Sequence, residues 1–99
     1  MKLIVEASFP HEPFNTLVRN GTVGKKINDV LGAIKPEVCY FTDSGVGRGV
    51  LMIVDLPDAS AAPHVTEPLM LAFNATVHYR FAMHPDDLAK AGLDRYKGT

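Results

Sequence analysis

The sequence predicts an α+β domain in which a four-stranded antiparallel sheet carries two helices on one face. Three observations predict it. Strand-like and helix-like periodicities follow one another in the order strand, helix, strand, strand, helix, strand, and a short helix closes the chain. Residues Ala75 to Met83 alternate cleanly, with Ala75, Val77, Tyr79, Phe81 and Met83 toward one face and Thr76, His78, Arg80 and Ala82 toward the other. The run Val50-Leu51-Met52-Ile53-Val54 does not alternate, and in a strand it must place apolar side chains on both faces of a sheet.

Each element has its own signal. Lys2 to Phe9 reads as the first strand, opened by Leu3, Ile4 and Val5. Pro10-His11-Glu12-Pro13 reads as a turn. Phe14, Leu17, Val18, Gly21, Gly24, Ile27, Asn28, Leu31 and Ile34 then recur at three- and four-residue steps, as on the inward face of a helix. Gly21 and Gly24 each weaken that helix by about 1 kcal/mol relative to Ala, so a break near Gly21-Thr22 is compatible with the pattern. Pro36 ends it, because the residue before a proline is driven out of the helical region.

Glu37 to Asp43 is the second strand and Arg48 to Leu56 the third, joined by a hairpin through Asp43-Ser44-Gly45-Val46-Gly47. A second helical region follows Pro57, with Asp58 or Ser60 as N-cap, and its regular part is expected from Thr66 to Phe73 with Pro68 in the first turn. The fourth strand is the alternating run Ala75 to Met83. Pro85 and Asp86-Asp87 suit the start of a short C-terminal helix that ends near Gly92, beyond which the last residues should fray. The element order is the split βαβ, or ferredoxin-like, arrangement, and 99 residues suit one such domain over 1–99.

Two helices cover only one face of such a sheet. The apolar run in the third strand therefore needs cover on the other face, and a second copy of the sheet is the simplest source. A homodimer through the open sheet face is the expected assembly.

The stretches Glu12-Pro13-Phe14-Asn15, Ile34-Lys35-Pro36-Glu37, Ile53-Val54-Asp55, Glu67-Pro68, Phe73-Asn74-Ala75 and Pro85-Asp86-Asp87-Leu88 carry a family resemblance. The chain resembles the dimeric α+β barrel superfamily, in which two such sheets face each other. Within it, the chain is similar to a group of short bacterial proteins without an established activity, some of which are called pantothenate synthetases. The chain has no His-x-Gly-His motif and is too short for the nucleotide domain of those ligases, so the resemblance implies a fold and not that reaction. Other branches include small cofactor-free monooxygenases, lactone isomerases and haem-dependent enzymes, and no branch's active residues map onto this sequence.

Charge and composition narrow the functions. Ten Lys and Arg stand against eleven Asp and Glu, and Lys25-Lys26 is the sole adjacent basic pair, so there is no basic patch of the kind that neutralises nucleic-acid phosphates. No stretch is long and apolar enough for a membrane span or a signal-peptide core. The lone Cys39 rules out an intramolecular disulfide and suits a reducing, cytoplasmic setting. His11, His64, His78 and His84 lie in different elements without metal-ligand spacing, so no metal is expected, and no cofactor motif is present. Gly45-Val46-Gly47-Arg48-Gly49 lies between two strands and reads as a turn, where a phosphate loop would precede a helix.

The remaining candidates sit on the sheet. His78 and Arg80 share one face of the fourth strand, and Glu6 and Ser8 share one face of the first, which pairs with it. Centring these strands on each other sets Glu6 beside His78. His78 and Glu6 are the candidate acid-base pair, with Glu6 orienting the imidazole and Arg80 holding an anionic group. The same cluster can equally be a structural ion pair that sets dimer register. Gly21 and Gly24 leave room on the inner helix face, for close packing or for a ligand contacted by Tyr40 and Tyr79. A cofactor-independent enzyme acting on a small organic molecule and a non-catalytic ligand-binding or structural dimer module both remain open.

Overall fold

The computed structural model describes residues 1–99. Strand β1 (Lys2–Ser8) is followed by helices α1 (His11–Arg19) and α2 (Val23–Ile34), then β2 (Val38–Asp43), β3 (Arg48–Asp55), α3 (Pro63–Phe73), β4 (Thr76–Ala82) and α4 (Pro85–Lys90). Short 3-10 turns occupy Ala59–Ala61 and Leu93–Tyr96. The sheet is antiparallel throughout, in the order β2-β3-β1-β4, which is the ferredoxin-like α+β topology.

One face of the sheet is packed. Leu3, Val5 and Ala7 of β1 and Val50, Met52 and Val54 of β3 are buried beneath Phe14, Val30, Ile34, Val65, Leu69 and Phe73 of the helices. Three phenylalanines anchor one end of this core: the rings of Phe9, Phe14 and Phe73 lie 5.2–5.6 Å apart, centroid to centroid. Arg48 sits over the outer side of Phe14, 4.6 Å from its centroid, while its guanidinium donates to Asn15 Oδ1 at 2.7 Å.

The long helix is broken where its glycine is. Asn20 to Thr22 leave the helical path and Gly21 takes φ +77°, a conformation that costs glycine nothing. The break resets the helical phase. Val23, Ile27, Val30 and Ile34 therefore turn inward, while Gly21, Gly24 and Asn28 are exposed and Val18 is half-exposed. The expectation that Gly21 and Gly24 leave room against the sheet is corrected: a side chain at either position would meet only open space.

Two more boundaries differ from the sequence expectation. Helix α1 begins at His11 within the Pro10–Pro13 segment, although Glu12 itself keeps extended angles, φ −112° and ψ 140°. Helix α3 begins at Pro63, so Pro68 lies inside it and not in its first turn. The carbonyl left without a donor by Pro68 is that of His64, an exposed residue whose oxygen water can satisfy. Asp58 caps the preceding 3-10 turn, its Oδ1 accepting from the Ser60 N–H at 2.9 Å.

The C-terminal segment does not fold back. Every residue from Met83 to Thr99 is exposed except the half-buried Gly92, and the molecule spans 61 × 27 × 18 Å. The expected short helix forms as α4, capped by His84 and Asp87, and beyond Gly92 the turn Leu93–Tyr96 stands where fraying is expected. No helix is long and apolar enough to cross a membrane.

Candidate functional site

The open face of the sheet is ordered in rows by the pairing register. Val38, Ile53, Ile4 and Arg80 form one row across the strands, and Tyr40, Leu51, Glu6 and His78 the next. Thr42, Gly49, Ser8 and Thr76 form the third. Leu51 and Ile53 are half-buried here, while their neighbours Val50, Met52 and Val54 are buried under the helices. The apolar run thus does present side chains to both faces.

Glu6 and His78 are direct cross-strand partners. The Glu6 carboxylate does not engage the imidazole. It accepts a hydrogen bond from Arg80 Nη2 at 3.1 Å, a diagonal contact between rows. Both side chains of this pair are at least half-exposed, so the isolated pair adds little to stability. The expectation that Glu6 orients His78 is therefore corrected. The carboxylate belongs to Arg80, and the imidazole beside it has no hydrogen-bond partner within the chain.

A cavity of about 290 Å³ opens on this face between the second and third rows. Glu6, Ser8, Thr42, Asp43, Ser44, Gly49, Leu51 and His78 are among its lining residues. The wall comes from the β2–β3 hairpin, where Ser44 Oγ lies 2.9 Å from Ser8 Oγ and Asp43 Oδ1 accepts from the Gly45 N–H at 2.7 Å. Gly49 sets how closely that hairpin approaches. A Cβ there would stand 2.8 Å from Ser44 Cβ and 3.0 Å from the Ala7 carbonyl oxygen, so only glycine lets Ser44 fold over β3.

Ser8 and Asp43 were readable as neighbours of a strand end and a turn, but their convergence on His78 was not. A glycine inside a strand pattern is the one sequence feature that marks such a close approach. Arg80 stands one row from the cavity, and Tyr40 stands in the row of Glu6 and His78 at the far edge. Tyr79, as the partner of Val5, points to the helix side of the sheet as its alternation predicts, whereas Tyr40 stands on the open face, so the two hydroxyls do not share a space beneath the first helix.

Cys39 also lies on the helix side, opposite Met52, and is half-buried. Burial pushes its thiol up from the usual range. Raising the acid's pKa leaves less thiolate at a given pH. Labelling by a thiol reagent at pH 8 is therefore expected to run several-fold slower than for a free cysteine and to accelerate on going above pH 9. Labelling at the free-cysteine rate would contradict that burial. No three of the chain's His, Cys, Asp and Glu side chains come within range of a common metal ion.

The fold and site define a ferredoxin-like α+β protein with a cavity on its exposed sheet face that brings polar side chains together. No protein-family model and no curated sequence matches the chain. Among solved structures, it is similar to 5-chloro-2-hydroxyhydroquinone dehydrochlorinase from Burkholderia phenoliruptrix, in complex with 2,5-dihydroxybenzoquinone. The TM-score is 0.59 at 14% identity, over 88% of this chain and 98% of that one. A protein from Agrobacterium tumefaciens aligns over 86% of this chain and 96% of its own with a TM-score of 0.41 and 10% identity. The first of these supports the fold.

Proposed function

We propose that two chains pair through their open sheet faces and enclose a small-molecule site around His78. The observation that carries this reading is the cavity that joins His78 and Glu6 to the hairpin hydroxyls on the face whose apolar side chains still need cover. In the single chain the cavity opens to water. A second sheet above it would exclude solvent and strengthen every electrostatic contact inside.

Within that site the free imidazole of His78 is the proton carrier: it takes a proton from an acidic group of the ligand and returns it to the leaving or product atom. Arg80 retains N–H donors beyond the one given to Glu6, and these hold an anionic oxygen of the ligand. Ser8 and Ser44 supply hydroxyls to the rest of it. This chemistry draws on side chains alone, and a small acidic phenol, quinone or carboxylate fits it. The lone thiol suits a reducing compartment, and we place the protein in the cytoplasm, working as one domain.

A second reading rests on the Glu6–Arg80 pair itself. It is made within one chain and could serve only to hold the register of β1 against β4.

Calorimetric titration separates the two, with 2,5-dihydroxybenzoquinone as the first probe and simple benzoates beside it. Under the first reading, the probe binds saturably at one site per chain. His78→Ala then weakens binding tenfold or more, with the assembly state unchanged. Absence of saturable binding at millimolar probe, or an unaltered affinity in His78→Ala, would remove the ligand site and leave the structural pair.

A further inference from the structure

The polar side chains that line the open-face cavity are mostly hydrogen-bond acceptors. Ser44 Oγ carries one proton and has two contacts, the Gly47 carbonyl oxygen at 3.2 Å and Ser8 Oγ at 2.9 Å. A carbonyl oxygen only accepts, so the Ser44 proton goes to Gly47. Ser44 then accepts from Ser8, and the single Ser8 proton is spent within the wall. Ser8 Oγ has only lone pairs left to offer the cavity.

The two lining carboxylates act in the same sense. Asp43 Oδ1 accepts from the Gly45 N–H, and Glu6 Oε1 accepts from Arg80 Nη2. The second oxygen of each, Oδ2 and Oε2, receives no donor from the chain. No Lys or Arg stands in the wall. Arg80 is one row away and is paired with Glu6. Thr42 and the unpartnered His78 are the lining side chains that can donate as well as accept. Between these groups lie the apolar side chains of Ala7, Val50 and Leu51, in a space of about 290 Å³. A cavity of about 150 Å³ already admits benzene, so one substituted ring fits.

We infer that this cavity selects an uncharged, single-ring molecule whose hydroxyl groups donate to the wall, over a carboxylate of the same size. The inference names the ligand class of the site proposed above and rests on that reading. A ligand hydroxyl satisfies Ser8, Asp43 or His78 by donating, and the one facing His78 is the group whose proton the imidazole takes. An ether of the same shape leaves these acceptors unpaired. A carboxylate sets like charge against Glu6 and Asp43. The acceptors are spread over β1, β4 and the hairpin, a spacing that separated hydroxyls on a ring match and a single ammonium does not. The charge of Glu6 is also already answered by Arg80, which weakens the draw on a cation.

The test is calorimetric titration of the full chain with resorcinol, its dimethyl ether, benzoate and benzylamine, repeated on Asp43→Asn and Ser44→Ala. Resorcinol, like a tyrosine phenol, is uncharged near pH 7. Both positions are exposed in the hairpin, so the fold is kept. An asparagine amide oxygen still accepts from the Gly45 N–H, while its NH2 group puts a donor where the free carboxylate oxygen was. Ser44→Ala removes the acceptor of the Ser8 proton and lets that hydroxyl donate into the cavity. The expected result is resorcinol binding about tenfold or more tightly than each of the other three probes, with its preference over benzoate reduced about threefold or more in both variants. Any of the other three probes binding as tightly as resorcinol overturns the ligand class and spares the ligand site. An unchanged preference in both variants overturns the assignment of Asp43 and Ser8 as the selecting acceptors. Absence of saturable binding by all four probes and by 2,5-dihydroxybenzoquinone overturns the site itself.

Discussion

Aspartate at Leu51 and Ile53 is expected to abolish the proposed pairing of two chains and leave a folded monomer, raising the dissociation constant at least a hundredfold. These two side chains lie at the centre of the open face, flanked by Ile4 and Tyr40 in their rows. Fully burying a Leu or Ile contributes about 1.5–3 kcal/mol, and half of the burial is already achieved in the single chain. The remainder, over both residues on both sheets, is of the order of 3–6 kcal/mol. A carboxylate placed there replaces that gain with an unpaired charge facing an apolar partner.

In the monomer the same carboxylates reach water, and each substitution costs the half-burial already made, about 0.75–1.5 kcal/mol, and up to about 1 kcal/mol of strand preference. Light scattering coupled to size exclusion reads the mass, and far-UV circular dichroism reads the fold. A variant that remains dimeric would show that the open face is not the interface. A wild type that elutes as a monomer would show that half-burial is all the cover these residues receive.

Alanine at Phe73 is expected to cost about 3–5 kcal/mol of folding stability. Its ring is among the largest fully buried side chains and contacts both Phe9 and Phe14, so its loss opens a cavity bounded by β1, α1 and α3. Neighbours held by a sheet and two helices cannot collapse into that space. Against a total stability of about 5–15 kcal/mol, the loss brings the domain close to its unfolding limit. Leu71 on the same helix is 81% exposed, and its alanine variant should stay within about 0.5 kcal/mol of the parent. Urea unfolding checks both at fixed protein concentration, since association adds to apparent stability. A Phe73→Ala midpoint no lower than that of Leu71→Ala would mean that the aromatic cluster does not anchor the core.

Much of the fold was legible because its signals are local. Alternation from Ala75 to Met83 defined β4, the unbroken run Val50 to Val54 defined a strand apolar on both faces, and Pro36 and Gly21 marked where helices stop. The helix errors share one cause. A periodic pattern read straight through Gly21 carries its phase into α2, whereas three residues off the helical path rotate every later side chain. That rotation turned Val30 inward and Gly24 outward. A mid-helix proline is costly, so the sequence favours a first-turn place for Pro68, but the carbonyl it orphans lies in water and the helix tolerates it.

The candidate site was legible only in part. Antiparallel pairing of β1 with β4 brought Glu6 to His78, as centring the strands suggested. The preference of Glu6 for Arg80 is a matter of side-chain reach across a diagonal, which strand order does not encode. Tyr79 was grouped with Tyr40 through a space beneath the helix that does not exist, and the pleat sets the two on opposite sides of the sheet. By itself, then, the amino-acid pattern determined the element order, the sheet topology and the fact that one sheet face is left wanting cover. These follow from periodicity and from the few ways a split βαβ chain can connect. The tertiary structure alone decided that Ser44 of the hairpin closes on Ser8 over Gly49, that the imidazole of His78 stands free, and that the C-terminal arm extends away from the body. Those outcomes depend on contacts between residues tens of positions apart, or on their lack, and no local spacing records either.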